Sequence, residues 1–455
     1  MTIPALADLH GALRAGTEDP VQLLEACQAK NSHGAYVTRL DTAARAQAEA
    51  ASAAFRGSVD LGPLQGMPFA AKDLFGTGAG HPIAAGNPQP LPAIWDRAGP
   101  VMQDLTDQLS VCVGKSHTVC FAFGGVGANT HIPVPRNPFS KDVHRAPGGS
   151  SSGSGVSVAE GSSLFALGSD TAGSVRIPAS VNGIAGYKST KEFLSTDGVV
   201  PLSTTLDSTG ILARSVEDVA FVMEGLVPAN FRLPLPTQDL CLHVVTGSYA
   251  TETDDDIAAA FGKAVEALAK VVDRVKTGPL DPAEEGLELF RTGPIAGVEL
   301  AARLDNDLPE FWEGLDPLVR RRIEQTRSMT ASDYLNRRYQ VLDLEQRMNE
   351  VMMTSGIDLL ILPTVPISPP EIPPLLDPAN ADTYNRVNGL MLRNTCFANI
   401  SGMCGLSIPI GLDGHGMPIG LQVLAMGGMD QELIGIGISL ERALWDAGLA
   451  VDTPV

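Results

Sequence analysis

Two stretches of this chain gather the residue types that do covalent chemistry. One is Gly66-Met67-Pro68-Phe69-Ala70-Ala71-Lys72-Asp73. The other reads APGGSSSGSGVSVAEGSSLFALGSDTAGSVRIPAS over residues 146–180. Within it, Thr171-Ala172-Gly173-Ser174 sets small residues in succession, so several backbone N–H groups can converge beside the Ser174 hydroxyl. That is the geometry of an oxyanion hole next to a nucleophile. A serine hydroxyl attacks poorly unless something takes its proton. Neither Gly153-Ser154-Gly155 nor Gly173-Ser174-Val175 fits the G-x-S-x-G elbow, which would bring a histidine for this purpose. The placement of His10, His33, His81, His117, His131, His144, His243 and His415 singles out none of them, so a histidine base stays open without positive support.

The Gly/Ser loop at residues 148–155 has other readings. Loops of this composition cradle phosphates through backbone N–H groups. A P-loop, however, needs Lys directly before Ser or Thr, and none is present. A dinucleotide fingerprint follows a strand, whereas Arg145-Ala146-Pro147 precedes this loop. A plain flexible linker conflicts with the apolar residues that follow at once.

The run PGGSSSGSG…ALGSDTAGSVRIPAS closely resembles the signature of the amidase-signature family, and residues 66–73 resemble its G-x-P-x-x-x-K-D strand end. The 24 residues from Ser150 to Ser174 equal the usual separation of the family's two catalytic serines. Weaker likeness, in family order, extends through Gly114-Lys115, residues 121–125, Pro135-Arg136-Asn137-Pro138, residues 206–213, residues 358–364 and Gly420-Leu421-Gln422, and so covers most of the chain. The resemblance implies Ser174 as nucleophile, Ser150 as bridging serine after a cis Gly149–Ser150 bond, and Lys72 as base. It places the oxyanion donors on the backbone of Thr171, Ala172, Gly173 and Ser174. Ser151 and Ser152 adjoin Ser150, and spacing alone chooses among them. Asp170 and Arg176 flank the nucleophile and read as braces, with substrate-carboxylate binding by Arg176 a minority reading. Ser169 and Ser180 read as packing or capping residues. The chain departs from the family in Ala172-Gly173 where Gly-Gly is common, in its SSSGSG loop, and in His117 where Asn is frequent. An alanine at position 172 requires a negative φ there.

The elements that must position these residues are legible in part. Residues 3–56 carry helical spacing and an alanine-rich stretch. From residue 62 to 187 the chain is crowded with Gly, Ser and Pro, as where backbone approaches a ligand. Residues 109–114, 163–167, 241–245, 358–362, 408–410 and 420–425 read as strands. Residues 154–160, 254–272, much of 300–348 and 431–445 read as helices, and Ser215 caps a further helix over residues 215–226. No repeat or low-complexity linker divides the chain. The expectation is one large α/β domain over residues 1–455, with N-terminal helices (1–60), a signature core (61–225) and the rest of the sheet, a helical insert and a closing helix (226–455). The resemblance implies a central twisted mixed β-sheet flanked by α-helices.

Composition bounds the function. At 44% hydrophobic and 18% charged residues, a 455-residue chain can bury a large core. A formal net charge of −20 repels nucleic acid and anionic membrane surfaces. The six cysteines are scattered without a CxxC pair, which suits buried free thiols in a reducing cytoplasm rather than a metal site. The first residues do not read as a secretory leader, and no apolar run reaches the length of a membrane span.

The expected function is that of an amidohydrolase cleaving an amide or ureido C–N bond of a small molecule through a Ser174 acyl-enzyme. No cofactor or metal is expected, and a homodimer is a family-level expectation. The alternative is the glutaminase subunit of a tRNA-dependent amidotransferase; residues 392–395 lack the acidic residue that such subunits offer to the glutamine amino group. A non-catalytic protein on the same fold conflicts with the intact Lys72, Ser150 and Ser174. The pocket is expected from residues 76–95, 121–125 and parts of 311–339.

Overall fold

The structure, a computed structural model, describes residues 4–454. Eleven strands form one mixed sheet: β1 (Tyr36–Arg39), β2 (Pro68–Lys72), β3 (Val111–Ser116), β4 (Phe165–Asp170), β5 (Ala185–Lys188), β6 (Ser208–Ala213), β7 (Cys241–Val245), β8 (Arg274–Gly278), β9 (Leu359–Pro363), β10 (Cys404–Leu412) and β11 (Pro418–Ala425). Their spatial order is β1-β3-β2-β4-β6-β5-β10-β11-β9-β7-β8. β2 runs parallel to both β3 and β4, and β7 parallel to β8 and β9; the remaining pairs are antiparallel.

Side chains alternate between the faces of a strand. Every residue of β2 through β7, and of β9 and β11, is buried, so both faces of the central sheet are covered. Strands in that position need not alternate apolar with polar residues. This is why β5 (Ala-Gly-Tyr-Lys) and β6 (Ser-Thr-Gly-Ile-Leu-Ala) escape a periodicity reading. β5 carries a glycine where helix Arg176–Val181 presses on the sheet: a Cβ on Gly186 would lie 2.5 Å from that of Ala179. Edge strands β1 and β8 are largely exposed, and β1 interrupts a region that reads as helix throughout.

The expected cap and helices are met. Ser215 Oγ accepts the Asp218 N–H at 3.0 Å and starts helix Val216–Leu226. The Gly/Ser loop leads into helix Ser152–Ala159, which is buried along its whole length. The helix after β7 spans Asp255–Leu268, and the closing helix Asp430–Asp446. All six cysteines are buried and unpaired, and burial pushes the thiols of Cys27, Cys120 and Cys396 up to about 12. Among the described residues no helix is long and apolar enough to cross a membrane, and no group of three His, Cys, Asp or Glu side chains is placed to hold a metal ion.

Candidate active site

The parallel neighbours β2 and β4 end at the same edge of the sheet, since Ala71 pairs with Leu167. The strands continue to Lys72 on one and through Gly168 to Ser169 and Asp170 on the other. In open α/β sheets the carboxyl ends of parallel strands are where ligands bind. Lys72 is fully buried there. Its Nζ lies 2.7 Å from Ser150 Oγ, 2.9 Å from Ser169 Oγ and 3.3 Å from Ser169 O. Burial lowers its pKa from 10.5 to about 7, against the pull of the Asp207 and Asp170 carboxylates. A neutral amine has two N–H donors and one lone pair. The three contacts match that set: the Ser169 carbonyl and hydroxyl can take the N–H bonds, and the Ser150 hydroxyl can donate to the lone pair.

Ser150 follows a cis Gly149–Ser150 peptide bond. The loop is pinned by Gly149 N–H donating to Gly125 O at 2.7 Å and Val119 N–H donating to Ser150 O at 3.2 Å. Its neighbours turn elsewhere: Ser151 Oγ donates to Ser169 O at 3.4 Å, and Ser152 Oγ to Ser150 O at 3.5 Å. Of the three adjacent serines, Ser150 is the one whose hydroxyl meets Lys72. Ser169, a packing residue on the sequence reading, is corrected to a partner of Lys72, because the end of β4 turns its hydroxyl onto the amine.

Ser174 lies in the turn between β4 and helix Arg176–Val181, 4% exposed, at the wall of a cavity. Its carbonyl accepts the Ser151 N–H at 3.3 Å, which sets the turn against the Ser150 loop. Gly173 has φ +128°, and a Cβ there would collide with the Thr395 hydroxyl. Ala172 keeps a negative φ, so the family departure falls at a position that tolerates it. The Thr395 hydroxyl holds the Ala172 carbonyl at 2.6 Å. Among the described residues the N–H groups of Thr171, Ala172 and Ser174 meet no acceptor. That of Gly173 does not share this state: it donates to Asp170 Oδ1 at 2.8 Å. Gly173 is therefore corrected from a hole donor to part of the brace, because the carboxylate beneath the turn captures its N–H.

Asp170 and Arg176 are both fully buried, with Arg176 Nη2 2.9 Å from Asp170 Oδ1. Burial opposes ionisation of Asp170, but the charge and hydrogen bonds of Arg176, helped by Lys188 and the Val175 N–H, hold its carboxyl well below the usual range. The Arg176 guanidinium makes five hydrogen bonds: to both Asp170 oxygens, to Thr395 O, to Gln422 Oε1 and to Asn399 Oδ1. A guanidinium has five N–H donors, so none is left for a substrate carboxylate. Arg176→Met should destabilise the protein by about 3–5 kcal/mol, the usual result of stranding one partner of a buried ion pair. Urea denaturation measures this, and adding Asp170→Asn should recover part of the loss.

Asp207 falls in the stretch 206–213 that resembles the family, but nothing in the sequence assigns it a role. Desolvation raises its pKa to about 6, against the hydrogen bonds it accepts. These come from Thr171 Oγ1 at 2.6 Å and from Leu202 N–H and Ser203 N–H at 2.9 Å each. It thus ties the start of the nucleophile turn to residues 202–203. His117 is buried away from the cavity, with its pKa lowered to about 3 by desolvation.

The cavity over Ser174 has a volume of about 770 Å³. Residues 122–124 line it as expected, as do several residues from Arg322 onward. Residues 289–296 and the stretch from Asn385 to Leu392 complete the wall; neither stands out in the sequence. Residues 76–95 do not line it. Gly76 N–H is held by Gly198 O at 2.8 Å, and Ile94 and Trp95 face a second cavity of about 660 Å³ that reaches Asp207.

A lysine and two serines gathered at the strand ends of a large mixed sheet give the architecture of the amidase-signature hydrolases. The Amidase family model matches residues 22–434, and the chain belongs to that family. It is 40% identical to the 2-amino-5-chloromuconic acid deaminase of Comamonas testosteroni, over 99% of this chain and 98% of that protein. It is 28% identical to a glutamyl-tRNA(Gln) amidotransferase subunit of Picosynechococcus sp. (strain ATCC 27264 / PCC 7002 / PR-6), over 92% of this chain and 94% of that relative. Among solved structures, an amidase superposes with a TM-score of 0.85 at 29% identity, covering 98% of this chain and all of the other. The protein is a hydrolase of carbon–nitrogen bonds.

Proposed function

We propose that this protein is a stand-alone amidohydrolase in which Lys72, Ser150 and Ser174 form a proton relay and a nucleophile. The observation that carries the reading is the 2.7 Å contact between Lys72 Nζ and Ser150 Oγ, at a lysine that burial brings to a pKa of about 7. Neutral Lys72 draws the Ser150 proton, and Ser150 draws that of Ser174. Ser174 Oγ bonds to the amide carbon, and the carbonyl π electrons move onto oxygen. The free N–H groups of Thr171, Ala172 and Ser174 donate to that oxyanion. As the C–N bond breaks, Ser150 gives its proton to the departing nitrogen and regains one from Lys72. Water then adds to the Ser174 ester, the relay runs again, and the carboxylic acid leaves.

The substrate is a small-molecule amide, since the nucleophile faces a single cavity of small-molecule size. The glutaminase alternative is disfavoured because, among the described residues, no uncommitted carboxylate on the cavity wall awaits a substrate ammonium group. Residues 392–395 stand where such subunits resemble one another in offering an acid, and none of the four is acidic. The unpaired, buried thiols suit a cytoplasmic setting.

A fluorophosphonate probe tests the nucleophile. One adduct per chain is expected, on the peptide carrying Ser174, and labelling of a different serine would overturn the assignment. Ammonia release from simple amides by the purified protein alone separates this reading from the amidotransferase one.

A further inference from the structure

The cavity over Ser174 runs against the charge of the chain as a whole. The protein carries a net −20, yet this wall holds Arg291, Arg322 and Arg337 with a single carboxylate, Asp333. Asp333 is committed to the capping box of helix Ala331–Ser355, accepting Thr330 N–H at 3.1 Å and Thr330 Oγ1–H at 2.6 Å. Arg337 is committed as well, donating to Thr292 O at 3.0 Å and Leu289 O at 3.3 Å.

Arg322 differs from its neighbours in the run of three arginines. Arg320 pairs with Glu324 at 2.9 Å and Arg321 with Asp382 at 2.6 Å. Arg322 donates only to carbonyl oxygens, Leu318 O at 3.0 Å and Phe123 O. Its guanidinium stands 4.5 Å from the ring centre of Phe123 and 5.5 Å from that of Tyr384. Among the described residues no carboxylate pairs with it, and none pairs with Arg291. The hydroxyl of fully buried Tyr384 meets no partner among the described residues, and it lies 2.9 Å from where a Cβ on Gly124 would sit. The next residue, Gly125, accepts the Gly149 N–H at 2.7 Å. Arg322 and the Ser150 loop therefore flank the same glycine strip.

A half-buried guanidinium with unspent donors, in a cavity without a free acid, is a receptor for a planar anion. We infer that Arg322 holds a carboxylate of the substrate, so that the substrate class is the monoamide of a small dicarboxylic acid, with its acid at Arg322 and its amide carbon at Ser174. This rests on the catalytic reading above. Exposed Arg291 adds positive potential at the cavity mouth, which draws anions past an otherwise acidic surface.

Binding to the Ser174→Ala protein, measured by calorimetry, tests this without turnover. The probes are succinamic, glutaramic and adipamic acids and their neutral diamides. At least one monoamide should bind roughly 30-fold or more tighter than its diamide. Adding Arg322→Gln should bring that ratio to within about threefold. Equal binding of all acid–diamide pairs, or a ratio that survives in a folded double variant, would overturn the inference. If the Gln variant loses its fold along with the Phe123 contact, Arg322→Lys keeps a charge and a donor but not the fork. It should lower the ratio by about tenfold, and an undiminished ratio again overturns the site. The two readings fail separately. Tight monoamide binding without hydrolysis by the native protein would sink the catalytic reading alone. Equal hydrolysis of acids and diamides would sink the carboxylate site alone.

Discussion

Ser174→Ala should lower kcat for amide hydrolysis by at least about 10⁴-fold while leaving the melting temperature within a few degrees of the native value. The expected loss is large because, in the proposed mechanism, the hydroxyl oxygen is the atom that bonds to the substrate carbon. No other serine can replace it. Ser150 is held on Lys72, and Ser151 bonds Ser169 O at 3.4 Å. The fold should survive because Asp170, Thr395 and the Ser151 N–H hold the turn through its backbone, not through the Ser174 side chain. KM should change little if the substrate is gripped elsewhere in the cavity. Steady-state kinetics with a coupled ammonia assay measures both parameters. A variant that keeps a tenth of native activity would refute the nucleophile.

The second large effect concerns Lys72. Lys72→Met keeps the length of the side chain and removes the base, and kcat should fall by about 10³-fold or more. The pH profile carries more information than the loss. With a pKa of about 7, Lys72 is neutral above that pH and a cation below it. A cation cannot accept the relayed proton, so native kcat should level off above pH 7 and fall about tenfold per unit on the acid side. Any residual activity of the Met variant should lack this limb. Stability should respond with a definite sign. In the unfolded chain the lysine pKa returns to 10.5, so between about 7 and 10.5 the unfolded state binds the extra proton. Stability contributed at this site then rises with pH across that window, by about 1.4 kcal/mol per unit. Below pH 7 both states are protonated and the cost of the buried charge is fully present. Urea denaturation of native and Met proteins at pH 6.5 and 9.5 isolates the term by difference. A stability difference that does not move with pH would mean that Lys72 is not buried as a neutral amine.

Much of the site is legible in the sequence because its chemistry is local. Lys72 ends a short apolar strand after a Gly-Met-Pro turn, and Ser174 sits in a run of small residues directly after β4. The choice of Ser150 over Ser151 and Ser152 rests on spacing alone. Three adjacent hydroxyls are equivalent in sequence, and only the course of the loop past Gly125 and Val119 presents one of them to Lys72. Gly173 shows the opposite outcome. In sequence its N–H is as available as those of its neighbours, but a carboxylate three residues earlier takes it. The reach of a side chain back to its own turn has no signature in composition or spacing.

The sequence by itself determined the reaction class, the three candidate catalytic residues, the helix capped by Ser215 and the strands whose apolar runs stand clear of their flanks. The cap and the strands could be read because they depend on residue types a few positions apart, and the reaction class and catalytic candidates because the family resemblance carries Lys72, Ser150 and Ser174 across by matching position. Tertiary structure decided what depends on distant segments meeting. The bonds from Arg176 to Thr395, Asn399 and Gln422 span more than 200 residues and turn a candidate ligand group into a brace. Strands β5 and β6 escape a periodicity reading because both of their faces are covered, so that Gly186, Tyr187, Gly210 and Ile211 are buried alike. The cavity wall is drawn from residues near 123, 291, 322 and 388, and only there does one arginine of a surface-like triplet become a cation without an acid. Lys72 itself shows the division. Its identity is written in a motif, but the role as a base proposed for it requires desolvation by segments from across the fold, and no stretch of sequence carries a dielectric environment.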